Sequence, residues 1–376
     1  MKQFDPLGHM REGLAKLERD GLLRRPPPSL ELGEVSFCSN DYLGLAAGPA
    51  RLPATDIPSG SGASRLVGGE RSEHVGLELA VAAWLGTEAA IVFTSGYAAN
   101  VGLLSALAGP DDVVVSDALN HASIIDGARL SRASVEILPH LDLDALEATL
   151  SKHASRARPP RQVWVVTESY FSMDADSPKL VRVRELATTY GAGLLVDEAH
   201  ALGVVGPNGR GLLAAADLRA DAIVGTFGKS FGHGGAFVAG SHDLVAWLWN
   251  RARSFVFSTG LSPIVAAGAH LALAHATAHP ELRATTIARA AELRKRLGEV
   301  VPHAQVLGYG HVIPVVVGDP RRAVEVAQSV RHQGIHIQAI RPPTVPTNTA
   351  RLRMSCTARH THEDIERAVA ALARAL

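Results

Sequence analysis

An acid, an imidazole and an amine stand close together in the stretch Leu194 to Gly235, LLVDEAHALGVVGPNGRGLLAAADLRADAIVGTFGKSFGHGG. The short apolar run Leu194-Leu195-Val196 is cut off by Asp197 and Glu198, with His200 just beyond, and a second run, Ala222-Ile223-Val224, leads to Thr226, Phe227, Gly228 and Lys229. Buried parallel strands end in this way when their carboxyl tips carry chemistry. Taken singly, Asp197 reads equally as a helix cap, His200 as a packed histidine and Lys229 as a solvated lysine. Together, at two successive strand ends, they suit one cofactor. Pyridoxal 5'-phosphate (PLP) needs an anion near its ring nitrogen, a donor near its ring oxygen and an amine for a Schiff base.

Other strand ends supply further groups. Ala90 to Phe93 reads as a buried strand that turns through Thr94-Ser95-Gly96-Tyr97-Ala98-Ala99-Asn100 straight into a helix. Small residues at such a turn let backbone N–H groups approach a phosphate where the helix dipole favours an anion, although an ordinary tight turn has the same composition. Val113-Val114-Val115 leads to Asp117 and His121, Val135 to Ile137 leads to Pro139, and Val163 to Val166 leads to Glu168, Ser169 and Ser172. This alternation predicts an α/β fold with a mostly parallel central sheet covered by helices, and functional groups gathered at the carboxyl ends of its strands. The loop Ser59 to Gly69 resembles a dinucleotide fingerprint only superficially: no apolar strand feeds it, and Arg65 occupies its sixth position.

At the N-terminus, Asp5-Pro6 reads as a helix cap with proline at the first helical position, followed by Leu7, Met10, Leu14 and Leu17 at helical spacing and an end near Gly21. Arg24-Arg25 and Pro26-Pro27-Pro28 form a stiff link to a strand at Val35 to Cys38 and a polar-aromatic loop at Asn40 to Gly44. Trp247 to Phe257 reads as helical, Ser258-Thr259 follow, and Pro263 opens an Ala-rich helix. Near residue 276 the pattern changes to an Arg-rich helix, strands at Ile313 to Val317 and Ile335 to Ile340, and a last helix near Thr361. The expected divisions are an N-terminal segment over 1–39, a large domain over 40–275 and a small C-terminal α/β domain over 276–376. Alternation puts Arg351, Arg353 and Ser355 on one strand face, where an arginine either grips a carboxylate bidentately or guards a solvated edge. His360-Thr361-His362 reads as a surface helix start.

Composition narrows the partners. Among 376 residues, Lys plus Arg and Asp plus Glu number 37 each, so nothing draws the chain generally to nucleic acid or an anionic membrane. Hydrophobic residues at 47% supply a large core. Cys38 and Cys356 lack metal-ligand spacing, so no metal site or disulfide framework is expected, and a reducing cytoplasm fits. The N-terminus has no apolar signal region, and no apolar run nears the ~18 residues of a membrane span.

With these residues in hand, the chain resembles the α-oxoamine synthases, a group of fold-type I PLP-dependent transferases, over nearly its whole length. The matching blocks are NDYLGL from Asn40, Gly60 to Gly69 with His74, SGYAAN from Ser95, His121-Ala122-Ser123, Phe171-Ser172-Met173-Asp174, Val196 to His200 with Gly203, TFGKSFG from Thr226 and AIRPPTVPTNTARLR from Ala339. The resemblance implies Lys229 as the Schiff-base lysine, Asp197 as partner of the pyridine nitrogen, His200 as donor to the ring oxygen and His121 as the ring stacked on the pyridine face. It implies cofactor contacts from Gly96, Tyr97, Ser172 and Thr226, with Ser258 and Thr259 reaching the phosphate from the neighbouring subunit of a homodimer with shared active sites. Arg353 would hold the amino-acid carboxylate, while Thr344, Asn40 and Arg24 (or Arg25) would contact the acyl substrate or product. The last block is most similar to the biotin-pathway branch, which joins L-alanine to a pimeloyl thioester carried on coenzyme A or acyl carrier protein. Sister activities are glycine C-acetyltransferase, 5-aminolevulinate synthase and serine palmitoyltransferase; a non-catalytic scaffold subunit would be expected to lack the lysine. Tyr97 stands where phenylalanine is frequent, and VDEAHALG replaces the commoner VDDAHGTG; both changes leave Asp197 and His200 in place.

Overall fold

The computed structural model describes residues 5–24, 26, 29–48, 56–157 and 159–376. Arg25, Pro27 and Pro28, from the expected stiff link, lie outside the described residues. The chain divides into two compact units: Asn40–Ser172 with Asp176–Thr286, and the residues up to Ser39 with Met173–Ala175 and Ile287–Leu376. The break expected at residue 276 lies inside the helix Pro263–Ala278, whereas the observed division lies inside the helix Pro280–Val300.

A two-residue strand, β1 (Val35–Ser36), comes first. The larger unit then contributes β2 (Ala89–Phe93), β3 (Val113–Asp117), β4 (Ser134–Leu138), β5 (Val163–Glu168), β6 (Gly193–Asp197), β7 (Ala222–Thr226) and β8 (Ala236–Gly240). These form one sheet in the order β2-β8-β7-β6-β5-β3-β4, in which only β8 runs antiparallel to its neighbours. The fold is therefore the α/β arrangement expected, with a mostly parallel sheet.

Period-two alternation explains why both faces are covered. Ile91, Phe93, Val114, Val166, Leu195 and Val224 share a core with Leu103 and Leu104 of the helix Gly96–Leu107 and Ile124 of the helix Ala122–Ser131. Val113, Val115, Val165, Leu194, Val196 and Ile223 pack instead with Leu146, Leu150, Val183 and Leu186 from two other helices. Because β2, β3, β5, β6 and β7 run in one direction, their carboxyl ends share one end of the sheet.

The smaller unit adds β9 (Gln305–Val306), β10 (Val312–Gly318), β11 (Ile335–His336), β12 (Gln338–Ile340) and β13 (Ala350–Ser355). Its antiparallel sheet has the order β12-β13-β10-β9, while β11 pairs with β1 in parallel. The single strand expected over Ile335 to Ile340 is thus two, because the segments find different partners on either side of Ile337. Arg351 and Arg353 lie on β13, an interior and fully buried strand, which rules out the solvated-edge alternative.

Two local expectations are corrected. The first helix spans Gly8–Arg19 with Leu7 at its N-cap, and the Asp5 carboxylate accepts from the Leu7 N–H at 3.2 Å, so the Asp5-Pro6 pair makes the preceding turn instead of the cap. His360 is not a surface residue. Its ring stacks on Phe37 at 4.2 Å between centroids, Nδ1 accepts from the Thr357 N–H at 3.0 Å, and burial lowers its pKa. The surface start belongs to Thr361, whose hydroxyl caps His362–Ala375.

Candidate active site

Asp197 ends β6 and sits opposite Glu168, the last residue of β5, in the sheet register. Its carboxylate is fixed from two sides: the Asn100 amide donates to Oδ2 at 2.7 Å, and the Ala199 N–H donates to Oδ1 at 2.8 Å. The same amide donates to Ser123 Oγ at 3.0 Å, which in turn lies 2.7 Å from His121 Nδ1. One side chain of the helix that follows β2 therefore ties the β6 acid to the loop after β3.

His121 feels both partners expected around a cofactor. Burial lowers its pKa most, Asp197 pulls it upward and the Lys229 ammonium pushes it down, with a net lowering. Glu168 receives the His121 N–H at 2.7 Å, and burial, with Asp197 beside it and Lys229 opposing, pushes its pKa up to about 8. Lys229, Asp197, His121 and Glu168 thus form one electrostatic cluster at the carboxyl ends of β3, β5, β6 and β7.

His200 is buried, and its Nδ1 lies 2.8 Å from the hydroxyl of fully buried Tyr42, which also donates to Asn40 Oδ1 at 3.1 Å. The polar-aromatic loop therefore reaches the strand-end residues. On the β2 side, Ser95 caps the helix Gly96–Leu107 by accepting from the Ala98 N–H at 3.1 Å. A Cβ placed on Gly96 would stand 3.8 Å from that of Thr226, so the helix start and the end of β7 abut. Thr226 Oγ1 accepts from the Gly228 N–H at 3.1 Å, shaping the turn that presents Lys229. Tyr97 is half exposed and bonds Asp126 through its hydroxyl. Ser172 is partly buried, and Ser258 and Thr259 line a small cavity with Thr94 and Arg65.

The remaining candidates belong to the smaller unit. Arg24 Nη2 donates to Thr344 Oγ1 at 3.2 Å, and Arg353 is buried on β13 with Nη1 3.4 Å from Ser355 Oγ. Arg341, unremarked in the sequence, donates to the Gly21 carbonyl at 2.6 Å; burial first, and then neighbouring Arg24, lowers its pKa. Asn100, Ser123 and Tyr42 were likewise visible only as members of motifs. Their roles depend on partners that lie far away in the chain. Arg351, on the same face as Arg353, instead binds Asp174 at 2.7 Å and the Met173 carbonyl at 2.8 Å.

Fold and strand-end cluster define a PLP-dependent enzyme of the aminotransferase type, and the aminotransferase class I and II family model matches residues 33–372. Among curated relatives, the 8-amino-7-oxononanoate synthase of Anaeromyxobacter dehalogenans is 45% identical over 352 residues, covering 91% of this chain and 86% of that protein. Its namesake from Burkholderia mallei is 40% identical and covers 98% of both chains. The chain belongs to the 8-amino-7-oxononanoate synthases, PLP-dependent acyltransferases of biotin biosynthesis. Among solved structures, a serine palmitoyltransferase with PLP aligns with a TM-score of 0.90 and 28% identity over 99% of this chain and 98% of that one. The Sphingomonas wittichii serine palmitoyltransferase aligns with a TM-score of 0.89 and 29% identity, again over 99% and 98%. An 8-amino-7-oxononanoate synthase from Francisella tularensis shares the fold, with a TM-score of 0.74 at 24% identity over 91% of this chain and 97% of that one.

Proposed function

We propose that this chain joins L-alanine to a pimeloyl thioester, on coenzyme A or acyl carrier protein, releasing carbon dioxide and free thiol and giving 8-amino-7-oxononanoate. The observation that carries this reading is that Asp197, at the end of β6, is tied to His121 through Asn100 and Ser123, while Lys229 follows the end of β7, the strand beside β6. The residues fit PLP. A carboxylate held by two donors is ready for a ring nitrogen, and the Gly96 and Tyr97 N–H groups belong to the first helical turn, whose donors have no partners within the helix.

When bound, PLP supplies an aldehyde for the substrate amine and a cationic ring that draws electrons from the substrate Cα. Lys229 would hold the cofactor through its amine, and the same amine would serve as base for the substrate Cα proton. Asp197 would pair with the ring nitrogen, His121 would stack on the ring and His200 would donate to the ring oxygen. The Tyr42 hydroxyl, 2.8 Å from Nδ1, holds the His200 ring in place for that bond. Gly96, Tyr97, Ser172 and Thr226 hold the cofactor, with Ser258 and Thr259 contributed by a second copy of the chain in a homodimer. Arg353 orients the alanine carboxylate, and Thr344, Asn40 and Arg24 contact the acyl chain. The new carbon–carbon bond joins alanine Cα to the thioester carbonyl as the thiolate leaves; the alanine carboxylate then departs as carbon dioxide, and the electron pair left on Cα takes back a proton from Lys229.

The pair Arg24 and Arg341 supports a pimeloyl chain over acetyl or palmitoyl. Arg24 is held on Thr344, whose N–H donates to the Arg341 carbonyl at 3.1 Å, so two positive charges gather on one loop and favour an anion there, and of these chains only the dicarboxylic one carries an anion at its far end. Arg341→Met is expected to raise KM for the pimeloyl thioester by about 10-fold while leaving KM for alanine nearly unchanged, the loss of one charged hydrogen bond. Tyr42→Phe is expected to lower turnover about 10-fold, since it frees the His200 ring and leaves Nδ1 without this partner. Steady-state kinetics on each purified variant measures both effects. Product mass after incubation with alanine and pimeloyl, succinyl, acetyl or palmitoyl thioester tests the whole reading: a product from another pair at greater kcat/KM would replace it with a sister activity.

Among the described residues no helix is long and apolar enough to cross a membrane. A cytoplasmic setting is part of the proposal, supported by two free thiols, Cys38 and Cys356, whose pKa values burial pushes up.

A further inference from the structure

His140 follows β4 and lies between two acids from other strands. Its Nδ1 stands 2.8 Å from Asp117 Oδ1, at the end of β3, and its Nε2 stands 3.1 and 3.3 Å from the two oxygens of Asp176, in the segment after β5. Asp117 is itself held in place, accepting from the Leu119 N–H at 2.7 Å and the Leu141 N–H at 2.9 Å. On the other side, Phe171 presents its ring edge-on to the imidazole at 4.6 Å, and its N–H donates to the Asp176 carbonyl at 2.9 Å, closing the loop that contains Ser172. Only an imidazolium donates from both nitrogens, and with a carboxylate at each one a neutral ring would turn a lone pair toward an anion.

We propose that His140 is a positioning residue: as a cation clamped between Asp117 and Asp176, it locks the loop carrying Ser172 to the loop carrying His121, and so fixes the affinity and orientation of the cofactor. Burial alone would lower the pKa of this ring, but the bonds to Asp117 and Asp176 outweigh it and push the value up to about 10, so the clamp persists through the neutral range. Asp117 lies four residues before His121 and Phe171 lies directly before Ser172, so each arm of the clamp ends beside a residue assigned to the cofactor. The inference rests on the reading that the larger unit binds PLP.

The test titrates the full-length apoprotein with PLP, following the dissociation constant and the visible circular dichroism of the bound cofactor, beside a thermal melt. His140→Gln and Asp176→Asn are both expected to weaken PLP binding about 10-fold and to change the visible dichroic band at saturation, while borohydride still fixes the cofactor to the protein. Asp176→Asn keeps the side-chain shape and carries the test if His140→Gln folds poorly. An unchanged dissociation constant and band in the folded variants, even with a lower Tm, would reduce His140 to a structural role and overturn the proposal. Failure of the wild-type chain to take up PLP would overturn the cofactor reading and this inference with it, so the two failures are distinguishable.

Discussion

Lys229→Ala is expected to abolish the visible absorbance of lysine-linked PLP and to lower condensation by about 10,000-fold or more, because one amine serves as both covalent anchor and base. The fold offers no substitute. The other lysines of the larger unit, Lys152 and Lys179, are exposed, and Lys152 is paired with Glu136 at 3.1 Å. Lys229 is also a positive charge that opposes the upward shift of Glu168. Its removal should therefore raise the Glu168 pKa further and leave Asp197 less compensated. Absorbance spectra before and after borohydride reduction, with peptide mapping of the fixed cofactor, make the measurement. A linkage retained in the variant would assign the anchor to another lysine and end the present reading.

Asp197→Asn should still bind PLP but lose about 1,000-fold in the exchange of alanine's α-deuterium, since an uncharged partner no longer supports a cationic ring nitrogen. Local geometry adds a second cost. Asn100 and Ala199 both donate to Asp197, one to each oxygen. An asparagine amide has only one acceptor, so either orientation sets its NH2 against a donor, at about 1–3 kcal/mol for the unsatisfied groups. Replacing Asn100 as well, by aspartate, restores an acceptor opposite that NH2. The double variant is thus expected to recover stability in a thermal melt without recovering exchange. Exchange close to the wild-type rate in either variant, followed by NMR, would remove Asp197 from the role of ring-nitrogen partner.

Much of the large unit was legible because its strands are short apolar runs that stop abruptly at polar residues. Covering a parallel sheet on both faces demands such runs, and their carboxyl ends are where an α/β fold gathers its chemistry. Asp197, Lys229, His121 and Thr226 announced themselves by breaking that pattern. The smaller unit was less clear. Arg353 read equally as a buried carboxylate grip or as a charged edge, since alternation fixes which face a residue takes but not whether another strand lies alongside. The pairing of β13 with both β12 and β10 removed the charged-edge reading. His360, polar and set before a helix cap, gave no sign that it would stack on Phe37 from a distant strand segment.

The amino-acid order by itself determined which side chains stand at strand ends, that an amine, an acid and an imidazole are among them, and that small residues open the helix after β2. Those properties follow from local pattern, because burial of an apolar run and the turn that ends it are decided within a few residues. Tertiary structure alone decided the bonds between them: Asn100 to Asp197, Tyr42 to His200, Arg24 to Thr344, and His140 between Asp117 and Asp176. Each joins residues far apart in the chain, and a hydrogen bond needs its partners within about 3 Å, a condition that only the packed sheet and its covering helices can meet.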